Sequence, residues 1–408
     1  MRYPAGALLR PDLLQPLFVT AHTATTAVGT GREALRAALL ARRTGLRVND
    51  FGPAPVAGYI GRVDALESVS IPPRLAAFDC RNHQLAWLGL QQDGFLDAVA
   101  SAHARYGARR IAVIVGTSTS GILTTELGYR QRDPATGALP ASVHYETTHN
   151  FSALAAFVRA VLGLAGPMLS LSTACSTSAK VFAAAGRWIA AGLCDAAVVG
   201  GVDSLCGTTL RGFSSLQLVS RTPCRPFDAE RDGLSLGEGA GFALLELEDA
   251  ERGRLALVGY GESADAHHMS APHPEGLGAR LAMQAALSRS GLPAGAIGYV
   301  CAHGTATRNN DAVEARAIVD VVGDGTPVMS VKGAIGHTLG AAGIASAVTA
   351  LLSLAHGFIP GTANTAVVDP ACAAPIQLEP VERRIDAVLV NALGFGGNNA
   401  SLVFARLP

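Results

Sequence analysis

The chain has 408 residues, 49% hydrophobic and 16% charged, which is enough apolar content for one large core or two fused ones and far from a disordered composition. Its 32 basic and 32 acidic residues cancel, which argues against a broad field for nucleic acid or an anionic membrane surface. Seven cysteines occur with no CxxC pair, a pattern that argues for a reducing compartment and against a disulfide or zinc scaffold.

The first stretch, MRYPAGALLRPDLLQPLFVT, carries Pro4 and Asp12 and lacks an apolar core followed by a small-residue cleavage site. No leader is expected, and the localisation is expected to be cytoplasmic. Buried strands are predicted at PLFVTAHTA (16–24), RIAVIVGTS (110–118), PMLSLSTA (167–174) and AAVVGGVDS (196–204). Further along, the same pattern recurs at ALVGYGES (256–263), YVCAHGT (299–305), VMSVKGA (328–334) and AVLVNALGFGG (387–397). Alanine-rich helical segments lie between them at 176–192, 277–290, 311–322 and 339–356. The alternation predicts an α/β fold whose parallel sheets are covered on both faces. The loop-rich stretches 42–75, 128–150 and 205–236 read as insertions flanking the sheets. GAAGIASAVTALLSLAHGF is long enough to span a bilayer. Its Gly, Ser, Thr and His content suits a helix buried in protein better, so no membrane span is expected.

The two halves echo each other. The strand feeding Cys175 at a helix start parallels the strand feeding KGAIGHTLGAAG, and VVGGVDS parallels the terminal VNALGFGGNNASLVF. This predicts a duplicated unit, residues 1–250 carrying Cys175 and 251–408 carrying the histidines, with a seam near 249–255, DAERGRL. A seam between two such units is a natural place for a site.

Cys175 is the one cysteine set between a buried strand and a helix start, where free N–H groups and the helix dipole favour a thiolate and could hold an oxyanion. His303 and His337 each sit in a glycine-rich strand-to-helix turn. Two neutral imidazoles with Nε2–H donors would stabilise an enolate oxygen without a metal. No HxH or HExxH pair occurs, and DAHHMSAPH (265–273) lacks ligand spacing, so no metal is expected. Lys180 and Lys332 are the two lysines in the chain. If Lys332 is buried beside Glu314, which shares a helix face with Asp311, the two are expected to form a charge pair that organises the histidines; the alternative is a plain surface pair. Phe395, within GFGG, could plug or open a cavity and lend its N–H to an oxyanion hole. No phosphate-binding loop is present, so no nucleotide cofactor is implied.

Taken together, TACSTSA, RPFDAERDGLSLGEGAG, AHGTATRNND, SVKGAIGHTLGAAG and GFGGNN occur in the order that the chain shares with the β-ketoacyl-[acyl carrier protein] synthases, which it resembles over nearly its whole length. The resemblance is to the elongating enzymes with a Cys-His-His site. GTSTSGILTTE and VVGGVDSLCGTTLRGFSSLQLVS look more like members serving specialised pathways such as aryl polyene synthesis. The resemblance implies a thiolase-like fold of five layers, α-β-α-β-α, from two pseudo-equivalent halves. It implies that Cys175 takes an acyl group and that His303 and His337 hold a malonyl-derived enolate. It further implies that Lys332, Glu314 and Asp311 support the site, that Thr305 and Thr307 contact the pantetheine arm, and that Phe395 is a gate. Acyl carrier protein is the implied partner, bringing its own phosphopantetheine, with no cofactor bound by the enzyme. The implied assembly is a homodimer, or a heterodimer with a chain-length subunit. The rival reading is that this chain is itself a non-catalytic chain-length subunit; such proteins lose the thiol, and Cys175 argues against it.

Overall fold

The computed structural model describes residues 13–53, 55–248 and 254–408. Residues 1–12, within the stretch read for a leader, and 249–253, most of the expected seam, lie outside the described residues.

Ten strands form the main sheet: β1 (Leu17–Thr26), β2 (Ile111–Gly116), β3 (Met168–Leu171), β4 (Ala196–Asp203), β5 (Gly239–Glu246), β6 (Leu255–Ala264), β7 (Tyr299–Cys301), β8 (Val328–Met329), β9 (Ala387–Gly394) and β10 (Asn398–Arg406). Their order is β8-β7-β9-β10-β6-β1-β5-β4-β2-β3. This is two five-stranded halves joined at β1 and β6 by the pairs Leu17↔Leu257 and Phe18↔Ala256. In the first half β3, β2 and β4 run parallel, while β5 and β1 run antiparallel. In the second half β8, β7 and β9 run parallel, while β10 and β6 run antiparallel. Strand for strand the halves superpose in order, β3 answering β8 and β4 answering β9.

The sheets are therefore mixed, not parallel as the alternation predicted. β9 and β10 are joined by the three residues Phe395–Gly397, too short for a crossover helix, and a connection of that length forces antiparallel pairing. β5 was not predicted at all: GAGFALLE has two glycines among its first three residues, which hide a fully buried strand.

Helices α1 (Arg81–Leu90), α2 (Phe95–Tyr106) and α3 (Ser152–Val161) cover the outer face of the first half. Helices α5 (Leu277–Ser290) and α6 (Arg308–Val322) cover that of the second. Between the two halves lie α4 (Thr177–Ala190) and α7 (Ala342–His356), whose buried side chains join one core with strands of both. Phe182 of α4 packs edge-on against Phe404 of β10, ring centres 5.4 Å apart. The result is five layers, α-β-α-β-α. The stretch Leu339–His356 is long and apolar enough to cross a membrane, but 89% of it is buried inside the protein, which answers its composition: it is the middle of the sandwich.

The insertions lie outside the main sheet. Residues 42–75 give the strands Leu46–Val48 and Tyr59–Gly61, which form a small sheet with Leu236–Gly237. The 205–236 segment supplies the helix Gly207–Ser215.

Candidate active site

Strand β3 ends just before a turn in which Ala174 takes a left-handed φ of 51°. A non-glycine residue there is strained and needs its surroundings to hold it. Three side-chain bonds do so: Thr177 Oγ1 accepts from the Thr173 N–H at 2.8 Å and donates to the Ala174 carbonyl at 2.6 Å, and Ser176 Oγ donates to the Thr173 carbonyl at 2.9 Å. The turn lifts Cys175 to the start of α4, in a buried position. The backbone amides of Phe395 and of Cys175 itself favour the sulfur's anion.

Strand β7 ends two residues before His303, and β8 leads through Lys332 to His337. All three side chains are buried. The imidazoles stand edge to face, centres 5.3 Å apart at 84°, and His337 Nε2 lies 3.1 Å from Cys175 Sγ. The second half of the molecule thus brings two rings to a sulfur supplied by the first.

Hydrogen bonds on the far side of each ring decide where its proton sits. The Leu339 N–H donates to His337 Nδ1 at 3.1 Å, so the His337 proton is on Nε2, facing the sulfur. Lys332 Nζ donates to the His303 carbonyl and lies 3.3 Å from His303 Nδ1. An ammonium can only donate, so His303 also carries its proton on Nε2. Burial, followed by the Lys332 charge, holds both imidazoles well below their ordinary pKa. They are neutral donors at pH 7. The ligand atoms of Cys175, His303 and His337 lie within 4.8 Å of one another, a spacing that could suit a metal. A metal would need lone pairs at Nε2, whose protons would have to move to Nδ1 positions already filled by Leu339 and Lys332.

Two sequence expectations need correction. The Cys175 thiol is not a resting thiolate: burial pushes it up to about 11, against the opposing pull of the Lys332 charge and the two amides. Desolvation outweighs the helix terminus, so the sulfur rests protonated with its anion-stabilising donors already in place. Nor do Lys332 and Glu314 form an ion pair within contact distance. Glu314 instead accepts from the His303 and Gly304 N–H groups at 2.7 and 2.8 Å, and from Asn391 at 3.2 Å. Lys332 and Glu314 grip the same turn from opposite sides, each pulled towards its neutral form by burial.

Asp311 lies one helical turn before Glu314 and accepts from the Phe227 N–H at 2.7 Å and the Ala306 N–H at 3.1 Å. Its carboxyl is raised to about 6, chiefly by burial. Gly304 shows why this turn tolerates no side chain: its φ is +38°, and a Cβ would sit 2.6 Å from that of Ser330. Beside the turn, Thr305 and Thr307 share a 2.9 Å hydroxyl bond and line a cavity of about 290 Å³ that also reaches Cys175, His303, His337 and Phe395. Phe395 is half-buried at its mouth, 5.6 Å from the Phe213 ring. Lys180, the other lysine, lies outside the site and donates to Asn398 at 3.3 Å.

Sequence reasoning missed Leu339, Phe213, Asn391 and Arg231. Arg231 is buried and paired with Asp369 at 2.6 Å and Asp311 at 3.7 Å. A signal existed for it, since RPFDAERDG concentrates charge just before an apolar, glycine-rich run. The others carry none in their residue types.

Comparison with known proteins gives the family. Residues 16–250 match the family described as "Beta-ketoacyl synthase, N-terminal domain" and residues 255–366 the "Beta-ketoacyl synthase, C-terminal domain". With both halves matched, the chain belongs to the β-ketoacyl synthase family. Among curated relatives it is 35% identical to the 3-oxoacyl-[acyl-carrier-protein] synthase 2 of Vibrio cholerae over 74% of this chain and 77% of that one. It is 41% identical to the enzyme of the same name from Rhizobium meliloti over 60% of this chain, an alignment spanning 62% of that relative's length. Among solved structures, "Ketosynthase (ApeO) in Complex with its Chain Length Factor (ApeC) from Xenorhabdus doucetiae" is similar over the full length of both chains, with 34% identity and a TM-score of 0.85. "The ishigamide ketosynthase/chain length factor" covers 97% of this chain at 28% identity, also with a TM-score of 0.85.

Proposed function

We propose that the chain catalyses decarboxylative Claisen condensation between an acyl group held on Cys175 and malonyl-[acyl carrier protein]. In the first step Cys175 sulfur bonds to the acyl carbon, the thioester bond between that carbon and the pantetheine sulfur breaks, and the thiol proton leaves with the pantetheine sulfur. In the second step malonyl loses CO₂. The electron pair of the broken C–C bond becomes a thioester enolate whose oxygen accepts from Nε2–H of His303 and His337. The enolate carbon attacks the acyl-Cys175 carbonyl, whose oxyanion is held by the Cys175 and Phe395 amides. Collapse expels the Cys175 sulfur, which takes up a proton, and releases a β-ketoacyl chain two carbons longer. Loss of CO₂ supplies the carbanion, so no resident cofactor is required.

The carrying observation is the pair of neutral imidazoles that the other half of the molecule brings to the sulfur, His337 Nε2 at 3.1 Å from Sγ and a ring nitrogen of His303 within 4.8 Å of it. Thr305 and Thr307, on the cavity wall, suit the amides of a pantetheine arm. For the partner, β3 is one of the two edge strands of the sheet, with Met168 exposed and the Ser170 hydroxyl without a partner. An exposed edge is a pairing surface, and both similar solved assemblies named above include a chain length factor. A heterodimer with such a subunit, in a specialised cytoplasmic pathway, is the assembly this favours; pairing with a second copy is the alternative. Cys175 and both histidines speak against this chain being the non-catalytic subunit.

The test is mass spectrometry of the protein after incubation with a panel of acyl-[acyl carrier protein] thioesters. One acyl mass should attach to the wild type and none to Cys175→Ala; attachment to the variant would overturn the assignment.

A further inference from the structure

Asp203, at the end of β4, is fully buried and belongs to none of the roles above. One of its oxygens accepts from Thr117 Oγ1 at 2.8 Å, the Ser118 N–H at 2.7 Å, the Thr119 N–H at 2.8 Å and Thr119 Oγ1 at 2.7 Å. The other oxygen reaches into the second half of the molecule and accepts from the Gly340 N–H at 2.5 Å.

That second bond lands one residue from the His337 anchor. Leu339, whose N–H donates to His337 Nδ1, sits in the left-handed region at φ 50°. A leucine there is strained and stays only where its surroundings force it. Two successive amides therefore take different partners, the first holding the imidazole and the next held by the carboxylate. The fit is tight, since a Cβ on Gly340 would lie 2.7 Å from Asp203 Oδ2 and 2.8 Å from Ser118 Oγ.

We propose that Asp203 is a positioning residue for His337: by holding the Gly340 amide it keeps Leu339 left-handed, keeps the Leu339 N–H on Nδ1, and so keeps the His337 proton on Nε2, towards Cys175. The structural half of this claim concerns a tautomer and stands without any reaction. Its kinetic half rests on the condensing function proposed above.

Ring-¹⁵N histidine NMR and CO₂ release from malonyl-[acyl carrier protein] test both halves on the full chain. Wild type and Thr119→Val, which leaves the Gly340 bond intact, should show His337 protonated at Nε2 and bare at Nδ1. Asp203→Asn, and Gly340→Ala as an independent way to break the same bond, should show a mixture of tautomers. Their kcat for CO₂ release should fall about tenfold or more, with KM within about twofold. If Asp203→Asn does not fold, Gly340→Ala carries the test. Wild-type tautomer and kcat in the folded variants would overturn the proposal. A wild type with the Nε2–H tautomer that releases no CO₂ would instead overturn the condensing function and leave the role of Asp203 in fixing the tautomer standing.

Discussion

Cys175 shows how far residue type and neighbours carry an argument. A lone cysteine between an apolar run and a helix-prone stretch was enough to single it out of seven. Its protonation state was not legible, because that depends on how thoroughly distant segments exclude water. With the thiol pushed up to about 11, raising the pH converts more of it to the reactive anion throughout the neutral range. Inactivation by a small alkylating agent should therefore accelerate about tenfold per pH unit between about pH 7 and 9. A rate already flat at neutral pH would mean a resting thiolate. His303 and His337 were equally legible as candidates, because each follows a strand in a glycine-rich stretch. What sets their protons was not. The Leu339 amide is a backbone group, and nothing in a leucine's identity announces a left-handed φ. The sequence offers Lys332 and Glu314 as a charge pair, whereas in the structure they meet at the His303 turn, not at each other.

The strands feeding the site were readable because buried parallel strands are nearly continuous apolar runs. Strand direction was not, since it follows from connection length and pairing. β5 escaped for a related reason, its glycines being selected by close approach to a neighbouring layer: a Cβ on Gly241 would lie 2.9 Å from the Ile344 side chain. Glycine does the same between the two middle helices. A Cβ on Gly343 of α7 would lie 2.4 Å from the Ala179 backbone nitrogen of α4, so these helices touch backbone to backbone. Gly343→Val should force them apart and destabilise the protein by about 1–3 kcal/mol, read as a lower midpoint in thermal unfolding. An unchanged midpoint would show that this layer is not packed as described.

The duplication explains why the site exists where it does. Each half presents the end of its third parallel strand to the central layer, β3 delivering Cys175 and β8 leading to His337. Burying α4 and α7 between the sheets fixes the two ends against each other. The echo between halves was visible in the sequence, as was the reading of Leu339–His356 as an interior helix. The contact of His337 with Cys175 across 162 positions could come only from the assembled layers. The account therefore depends on donors from one half acting on chemistry anchored in the other. Release of labelled CO₂ from malonyl-[acyl carrier protein] measures that directly, in the wild type and in a His303→Ala, His337→Ala double variant that keeps Cys175. Release should fall by at least about a hundredfold in the double variant; release at the wild-type rate would contradict the assignment of the enolate to these two imidazoles.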